Sequence, residues 1–274
     1  MVNTMYCSPN KNFDQVVKTC YDLSDLIDIA KAYNNFRKSV CLEKVCIKFT
    51  KIDTTLSKNE LYKELQNRLL GMQEYIWVNL DFIKNLDKNT RDKLQFFTFK
   101  PSPIKTKYTW FNTDNINQIL QQYQLTVNEK NGDNHYKFLG AQPADISRLY
   151  PFNWNELQNK YKYVSIVFNI DTHKKTGQHW LACFIDNDTK SVEYFDSLGK
   201  QPNKYIREFL ANFEEYYTFK INKIAFQDKS SLCGLYSCWF VIMKLQNKTF
   251  EEIQQLNVSD KFMYKYLNSV FRPK

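Results

Sequence analysis

The spacing of apolar residues predicts helices in the first hundred positions of the chain. Between Leu26 and Phe36 apolar residues recur every three or four positions, and Ser24 stands where an N-cap residue is expected. A second helix is predicted within 57–71, because a serine followed three positions later by a glutamate forms a capping box and a glycine can end the helix. Pro101 and Pro103 then interrupt the pattern. They predict a boundary between a helical arm domain, residues 1–100, and a second domain, residues 101–274.

After the prolines, strand-like and helical segments follow one another without regular alternation. Runs rich in β-branched and aromatic residues predict four strands: Tyr163–Ile170, Trp180–Ile185, Ser191–Phe195 and Ile221–Phe226. Helical spacing predicts one helix after Trp110 that contains Ile116, Leu120 and Tyr123, another at Cys233–Leu245, and a last one opened by Ser259. The Cys233–Leu245 segment is apolar on nearly every side, which is typical of a central buried helix. This mixture of elements predicts an α+β fold.

The composition excludes several classes of enzyme site. The chain has 274 residues, of which 43% are hydrophobic and 24% charged, values typical of a globular protein. It has only six glycines, and neither G-x-G-x-x-G, the Walker A pattern nor the G-x-S-x-G serine elbow occurs; H-E-x-x-H is also absent. The absence of these motifs excludes the nucleotide-binding loops, serine hydrolase elbows and zincin sites that they define.

The net charge of +9 raises the question of a nucleic-acid partner. Residues 1–100 hold 16 basic against 12 acidic side chains, an excess of 4, and the remaining 174 residues hold 22 against 17, an excess of 5. The positive charge is therefore spread along the chain rather than gathered in one patch. We expect nucleic acid only as an accessory partner.

Seven cysteines form an odd and irregularly spaced set. Residues 1–14 are polar, so no signal peptide is expected, and the longest apolar run, Cys238–Met243, is too short to insert into a membrane. These features predict a soluble protein with free thiols in a reducing compartment. Cys41 and Cys46 have no partners at zinc-finger spacing, so no metal is expected there.

Histidine is scarce, and only three positions could supply an imidazole. His135 and His173 lie in polar loops and are interpreted as solvated surface groups. His179 differs, because it stands where a turn leads into an apolar strand. Taken alone, it is more simply read as a strand-edge histidine with an ordinary hydrogen bond.

A predicted hairpin gives His179 a partner. Residues 186–189 read as a four-residue turn, so that Ile185 pairs with Lys190 and His179 stands opposite Asp196. Directly opposed residues have Cβ atoms about 4.5–5.5 Å apart, close enough for the carboxylate to accept the Nδ1–H of the imidazole. The alternative is a surface His–Asp pair, and a slip of one residue would separate the two side chains.

Cys233 is the candidate nucleophile for this pair. It opens the predicted buried helix, where backbone N–H groups favour a thiolate, and Gly234 allows a close approach of backbone and substrate. Gln227, six residues earlier, could stabilise an oxyanion together with the Cys233 backbone N–H. A buried structural cysteine is the alternative for Cys233, and it is the preferred interpretation for Cys183 and Cys238.

Three segments carry these residues: Gly177-Gln178-His179-Trp180-Leu181, Tyr194-Phe195-Asp196-Ser197, and Gln227 with Cys233-Gly234. In order, spacing and flanking residues they resemble the catalytic motifs of the ubiquitin-like-protein (SUMO) protease and adenovirus protease group. The segment Trp110–Ile116 resembles the W-L-N-D-x-x-I sequence that opens the catalytic domain of SUMO proteases. Within this group the chain resembles in particular the polyprotein-processing proteases of large DNA viruses, in which asparagine can replace Asp196.

The resemblance implies a fold and a mechanism. The fold would be a papain-related cysteine protease core, a central mixed sheet flanked by helices, preceded by the helical arm. His179 would act as general base and then as acid, Asp196 would orient it, Cys233 would attack, and Gln227 would supply the oxyanion donor. A thioester would form and be hydrolysed, with no metal or organic cofactor.

The resemblance also implies a substrate and a location. Cleavage would follow Gly-Gly in Gly-Gly-Xaa sites of viral structural polyproteins, or of ubiquitin-like proteins. Trp180, Trp110 and Asn112 would bind the substrate, with the Trp180 ring narrowing a channel that excludes side chains. The enzyme would act in the host cytoplasm, at sites of virus assembly, and in the virion.

Three alternatives stay open at this point. The first is an isopeptidase that removes SUMO or ubiquitin from host proteins with the same residues. The second is an acetyltransferase with a similar His–acid–Cys site, although the chain has no visible phosphate-binding motif. The third is a virion scaffold protein without activity, which would have no reason to keep all four site residues.

Overall fold

The computed structural model describes residues 6–40, 50–104 and 110–272, with the backbone alone for residues 38–40. Cys41 and Cys46 lie outside the described residues, and so does the prediction made for them. The chain divides into two compact units. Unit 1 comprises the described residues up to Lys100 together with Arg272, and unit 2 is Pro101–Phe271.

Unit 1 is helical. Its α-helices are α1 (Leu23–Val40), α2 (Lys58–Arg68), α3 (Glu74–Trp77) and α4 (Lys88–Asp92), with a 3₁₀ turn at Asp81–Asn85 and a π turn at Lys93–Phe97. The predicted capping box at the start of α2 is confirmed, since Ser57 and Glu60 each accept a hydrogen bond from the other's backbone N–H. The predicted cap of α1 is wrong, because the helix already begins one residue before Ser24.

A disulfide joins Cys7 and Cys20 within unit 1. The prediction of free thiols is therefore wrong for this pair, and their separation of 13 residues gave no indication of it. The turn closed by the Asp14–Thr19 bridge brings the two cysteines together in the buried interior of the unit. Among the described cysteines, Cys183, Cys233 and Cys238 are free.

Unit 2 is built on a five-stranded mixed sheet in the order β1-β2-β3-β4-β5. The strands are β1 (Tyr136–Pro143), β2 (Tyr163–Asn169), β3 (Trp180–Asp186), β4 (Ser191–Phe195) and β5 (Thr218–Ile221). Strand β3 is antiparallel to its neighbours β2 and β4. The outer strand β1 runs parallel to β2, and the outer strand β5 runs parallel to β4. The α+β prediction is confirmed.

Helices cover both faces of this sheet. They are α5 (Thr113–Asn131), α6 (Ile146–Leu149), α7 (Trp154–Lys160), α8 (Lys204–Leu210), α9 (Cys233–Leu245), α10 (Phe250–Gln255) and α11 (Asp260–Val270). Side chains of β3 point alternately to the two faces of the sheet. Ala182 and Phe184 pack in the core that contains α9, and Leu181 and Cys183 pack in the core that contains α8. A strand buried on both faces needs the continuous apolar run that the sequence shows.

Helix α9 has the predicted bounds and character. Its first ten residues are all buried, and it packs against β3 with α5 and α11 beside it. The burial accounts for a helix that is apolar on almost every side. None of the helices in the described part of the chain is both long and apolar enough to cross a bilayer.

Two strand predictions differ from the structure. The fourth strand runs over Thr218–Ile221 rather than Ile221–Phe226, and strand β1 was not predicted at all. The segment after β5 leaves the ladder because Asn222 exchanges hydrogen bonds with the backbone N–H and C=O of Asp196. Strand β1 contains a glycine and a proline, and side chains of α5 accept its edge N–H groups.

Candidate active site

His179 and Asp196 meet at one end of the central hairpin. His179 directly precedes β3 and Asp196 directly follows β4, so antiparallel pairing places both residues at the same end. The ring nitrogen Nε2 of His179 lies 2.7 Å from Oδ1 of Asp196, and both side chains are buried. Asp196 Oδ1 also accepts from the Leu198 backbone N–H at 2.8 Å. The carboxylate therefore holds the imidazole through Nε2, not through Nδ1 as predicted.

The predicted strand register is wrong by two residues. Ile185 pairs with Val192 rather than Lys190, so paired residue numbers sum to 377 instead of 375. The reason is the turn: the Asp186 carboxylate accepts two backbone N–H groups and Lys190 adopts a φ of +50°. Asp186 therefore pairs with Ser191, and the four-residue loop moves one position along the chain to residues 187–190. Because side chains alternate along a strand, a shift of two keeps the same face. His179 and Asp196 remain on one face as diagonal neighbours.

Cys233 is the first residue of α9. The N-cap is Leu232, whose side chain has no oxygen, so the first turn of the helix lacks a side-chain cap. Its backbone N–H groups and the positive end of the helix dipole are therefore left to interact with the Cys233 side chain at the start of the helix. The Cys233 thiol lies close enough to the His179 ring to raise the pKa of the imidazole. Since Nε2 is taken by Asp196, Nδ1 is the nitrogen that remains for the sulfur.

The surroundings of His179 favour its protonated form. Burial of the ring lowers its pKa, but hydrogen bonds to Asp196 and Cys233, and their negative charge, outweigh the burial and raise the pKa to about 9. The thiols of Cys183 and Cys238 have no such partner, and burial raises the pKa of both. Of the described cysteines, only Cys233 lies both at the start of a helix and beside an imidazole.

Gln227 lies against the first turns of α9. It follows an irregular segment, not a strand as predicted, and its backbone N–H donates to the Ser197 carbonyl at 3.0 Å. Tyr236, one turn along α9 from Cys233, donates from its hydroxyl to the carbonyl of Phe226 at 3.0 Å. This contact holds the Gln227 segment beside the helix that carries the cysteine.

The residues predicted to bind substrate line one groove of unit 2. The groove has a volume of about 440 Å³ and is bordered by Trp110, Asn112 and Trp180. The Trp180 indole donates to the Phe111 carbonyl at 2.7 Å and is almost fully buried, whereas Trp110 is 49% exposed. Asn112 caps α5 with its side chain. Trp180, which directly follows His179 in the chain, is the lining residue nearest in sequence to the imidazole.

Gly234 allows α9 to approach the groove closely. A Cβ atom at this position would lie 2.6 Å from the Cβ of Phe111 and 3.2 Å from Cδ1 of Trp180. The first distance is shorter than packed carbon atoms tolerate, and Phe111 is buried. The close approach seen at Gly234 is to these two aromatic residues, and the predicted approach of a substrate there stays a prediction.

We expect Gly234→Ala to lower the free energy of unfolding by about 1–3 kcal/mol, because the added methyl group overpacks the site. It should also raise KM by displacing Trp180. Urea unfolding and steady-state kinetics would measure the two effects. Gly132→Ala is the matched control: its backbone (φ +104°, ψ 150°) suits glycine alone, so a stability loss of about 1–3 kcal/mol is expected there with KM unchanged. An unchanged KM in Gly234→Ala would contradict the role given to the contact.

Two residues of the site escaped sequence reasoning. Ser197 donates its hydroxyl to Oε1 of Gln227 at 2.7 Å, and Asn222 bonds both backbone groups of Asp196. The position of Ser197, directly after Asp196 in the quoted motif, was a signal that could have drawn attention to it. Nothing in the sequence marks Asn222.

The other two histidines have partners of their own. His173 is exposed but not free, because its Nδ1 lies 2.7 Å from Oδ2 of the buried Asp145. His135 packs edge-on against Tyr163. In the described ranges no group of three or more histidine, cysteine or carboxylate side chains is placed to hold a metal ion.

Comparison with known proteins finds similarity to cysteine proteases. Residues 152–272 match the Ulp1 protease family, C-terminal catalytic domain. A protein of Acanthamoeba polyphaga mimivirus that bears the name of a thiol protease is 29% identical over 289 residues, covering 96% of this chain and 90% of its own length. The SUMO-1 cysteine protease of African swine fever virus is 29% identical over 151 residues, covering 50% of this chain and 55% of its own.

Solved structures show the same fold. A crystal structure of the African swine fever virus protease superimposes with a TM-score of 0.62 at 21% identity, covering 85% of this chain and 96% of that one. At this identity the likeness concerns the fold. The family match and the named relatives add the chemical class: residues 152–272 are similar to the catalytic domain of Ulp1 proteases, and the named relatives are thiol or cysteine proteases.

Proposed function

We propose that Cys233, His179 and Asp196 form the catalytic triad of this protease and that Gln227 supplies the oxyanion donor. The observation that carries the proposal is the buried His179–Asp196 contact of 2.7 Å, with the second ring nitrogen left to the thiol at the start of α9. A nucleophile, a base and an orienting carboxylate in this order are the parts that acyl transfer by cysteine requires.

The mechanism follows from these positions. The Cys233 thiolate attacks the scissile carbonyl carbon, and the oxyanion receives N–H groups from the Gln227 side chain and the Cys233 backbone. The His179 imidazolium then donates its proton to the leaving amine, which breaks the C–N bond and leaves a thioester. Neutral His179 next removes a proton from water, hydroxide attacks the thioester, and the thiolate is released.

The pKa of His179 sets the alkaline limit of this sequence. The imidazolium must be protonated to release the amine, so activity should fall as the pH rises through about 9. Asp196→Asn removes the negative charge but keeps an oxygen that can accept from Nε2. We expect the alkaline limb of kcat/KM to move down by about 1–3 pH units, towards the ordinary histidine pKa, with partial activity retained.

The pH profile of kcat/KM checks this prediction. Asp145→Asn is the control, because it neutralises the other His–Asp pair, at His173, and should leave the alkaline limb in place. An alkaline limb that stays near pH 9 in Asp196→Asn would mean that another group delivers the proton.

The groove supports a substrate with small residues before the scissile bond. Trp180 is fixed by Phe111 and Gly234, so the ring next to His179 has little freedom to make room for a side chain. Two glycines have no side chain to accommodate. We infer that the enzyme cleaves after Gly-Gly in Gly-Gly-Xaa sequences.

The relatives support a viral role. Both named relatives are viral proteases, and an endopeptidase of this specificity suits the maturation of viral structural polyproteins during virion assembly. We place the enzyme in the host cytoplasm at assembly sites and in the virion, with nucleic acid as an accessory partner at most. Free thiols at Cys183, Cys233 and Cys238 support a reducing compartment, whereas the Cys7–Cys20 disulfide argues against one.

A panel of substrates tests the specificity on the full chain. The panel contains a Gly-Gly-Xaa peptide, the same peptide with alanine in place of either glycine, and a SUMO–fluorophore fusion. We expect each alanine to lower kcat/KM about 100-fold, because a methyl group must enter the narrow groove. Equal cleavage of the alanine peptides would overturn the Gly-Gly assignment. Cleavage of the SUMO fusion alone would assign the enzyme to ubiquitin-like conjugates instead.

A variant of the groove makes this test sharper. Trp110→Ala should reduce the discrimination between glycine and alanine peptides, since it removes one wall of the groove at a half-exposed position. Tyr150→Ala, which removes an exposed aromatic ring outside the groove, is the matched control. Unchanged discrimination in Trp110→Ala would show that Trp110 does not shape the site.

A further inference from the structure

A glutamine can serve as an oxyanion donor in only one of its two amide orientations. Rotation of the amide by 180° exchanges an N–H donor for a carbonyl acceptor with almost no change in shape. An Oε1 atom directed at the developing oxyanion would repel it. Some feature of the protein must therefore select the orientation of the Gln227 amide.

Two contacts hold that amide. Oε1 accepts a hydrogen bond from the Ser197 hydroxyl at 2.7 Å, and Nε2 donates to the backbone carbonyl of Ser230 at 2.5 Å. A carbonyl can only accept, so Nε2 must face Ser230, and Ser197 then satisfies the oxygen at the other side. The amide nitrogen carries two hydrogens, of which Ser230 engages one. The second remains for a substrate oxygen.

Ser197 also holds the backbone of the same segment. Its carbonyl accepts from the backbone N–H groups of Phe226 at 2.8 Å and Gln227 at 3.0 Å. Ser197 is itself 1% exposed, so solvent cannot replace its hydroxyl. It directly follows Asp196, whose backbone is fixed by Asn222. One turn thus presents the carboxylate to His179 and the hydroxyl to Gln227.

We propose that Ser197 is a positioning residue that orients the Gln227 amide for transition-state stabilisation. The proposal rests on the assignment of Gln227 as the oxyanion donor. Without the hydroxyl, Oε1 is buried with no donor and the amide is free to rotate, so the fraction of enzyme with a correctly directed N–H falls. The effect is confined to steps that develop an oxyanion.

The test combines Ser197→Ala with Gln227→Ala in the full chain. We expect Ser197→Ala to lower kcat about tenfold, with KM unchanged within twofold. In a Gln227→Ala background the same substitution should have no further effect, since the amide it orients is gone. Alkylation of the Cys233 thiol by iodoacetamide forms no oxyanion, and its rate should stay unchanged in Ser197→Ala. Ser165→Ala, which removes another buried hydroxyl hydrogen bond at 2.6 Å, is the control and should keep its kcat.

The outcomes separate this inference from the proposed function. If Ser197→Ala lowers kcat by the same factor with and without Gln227, its role is merely structural and the inference is wrong. An unchanged kcat in Ser197→Ala also overturns it, while a large loss in Gln227→Ala leaves the proposed function standing. If Gln227→Ala has no effect on kcat, the oxyanion assignment itself fails, and the inference with it.

Discussion

Replacement of Cys233 by alanine is expected to abolish peptide cleavage while the free energy of unfolding stays almost unchanged. The sulfur is the only atom lost, and no other described cysteine stands at a helix start beside an imidazole. The His179–Asp196 contact does not depend on the sulfur, so the site should keep its shape. Cleavage of a Gly-Gly-Xaa peptide and urea unfolding measure the two parts of the prediction.

Cys238→Ala is the matched control on the same helix. Its thiol is fully buried and its pKa is raised by that burial, so it neither reaches substrate nor forms a thiolate readily. We expect the variant to lose some stability, by about 1 kcal/mol, and to keep most of its activity. Iodoacetamide should label the parent chain and Cys238→Ala at Cys233, and should label Cys233→Ala much more slowly. Loss of activity in Cys238→Ala with activity retained in Cys233→Ala would contradict the assignment.

Gln227→Ala is expected to lower kcat by about 10²–10³, with little change in KM. The side-chain N–H acts mainly on the oxyanion of the transition state, and the ground-state carbonyl interacts with it weakly. Alkylation of Cys233 should proceed at the normal rate. A change confined to KM would instead make Gln227 a substrate-binding residue.

Gln124→Ala is the control for that substitution. The Gln124 side chain accepts from the Phe138 backbone N–H at 2.7 Å at the edge of the sheet, so its loss also removes a side chain to backbone hydrogen bond. We expect some loss of stability there and no loss of kcat. A similar fall of kcat in both variants would point to a general weakening of unit 2 rather than to a lost oxyanion donor.

Elements whose cause is local were predictable from the sequence. The capping box at Ser57 acts within three residues, and the apolar run of Cys233–Leu245 defined α9 to the residue. Strands β2, β3 and β4 were found because buried central strands are continuous apolar runs bounded by turns. The short connection between β3 and β4 also indicated an antiparallel pair. Antiparallel pairing brings His179, before β3, and Asp196, after β4, to the same end of the hairpin.

The exact pairing within that hairpin was not predictable. Whether Ile185 pairs with Lys190 or Val192 depends on the hydrogen bonds of the Asp186 side chain and on the conformation of Lys190, which the residue types alone do not reveal. The His179–Asp196 prediction survived because an error of two residues preserves the face of the sheet. A register error of one residue would have placed the two side chains on opposite faces of the sheet.

Features that join distant parts of the chain appeared only in the tertiary structure. Strand β1 pairs across a connection of nearly twenty residues and includes a glycine and a proline, so its local pattern is weak. The Cys7–Cys20 disulfide depends on a turn that brings two ordinary cysteines together.

The amino-acid sequence by itself determined the chemical groups of this site and their order, together with the strand and helix ends on which they stand. The tertiary structure decided which ring nitrogen of His179 faces Asp196 and how Ser197 holds the amide of Gln227. The physical reason is the range of the interactions. Burial patterns and caps act between near neighbours in the chain, whereas a hydrogen bond between residues thirty positions apart exists only after the sheet and α9 have packed.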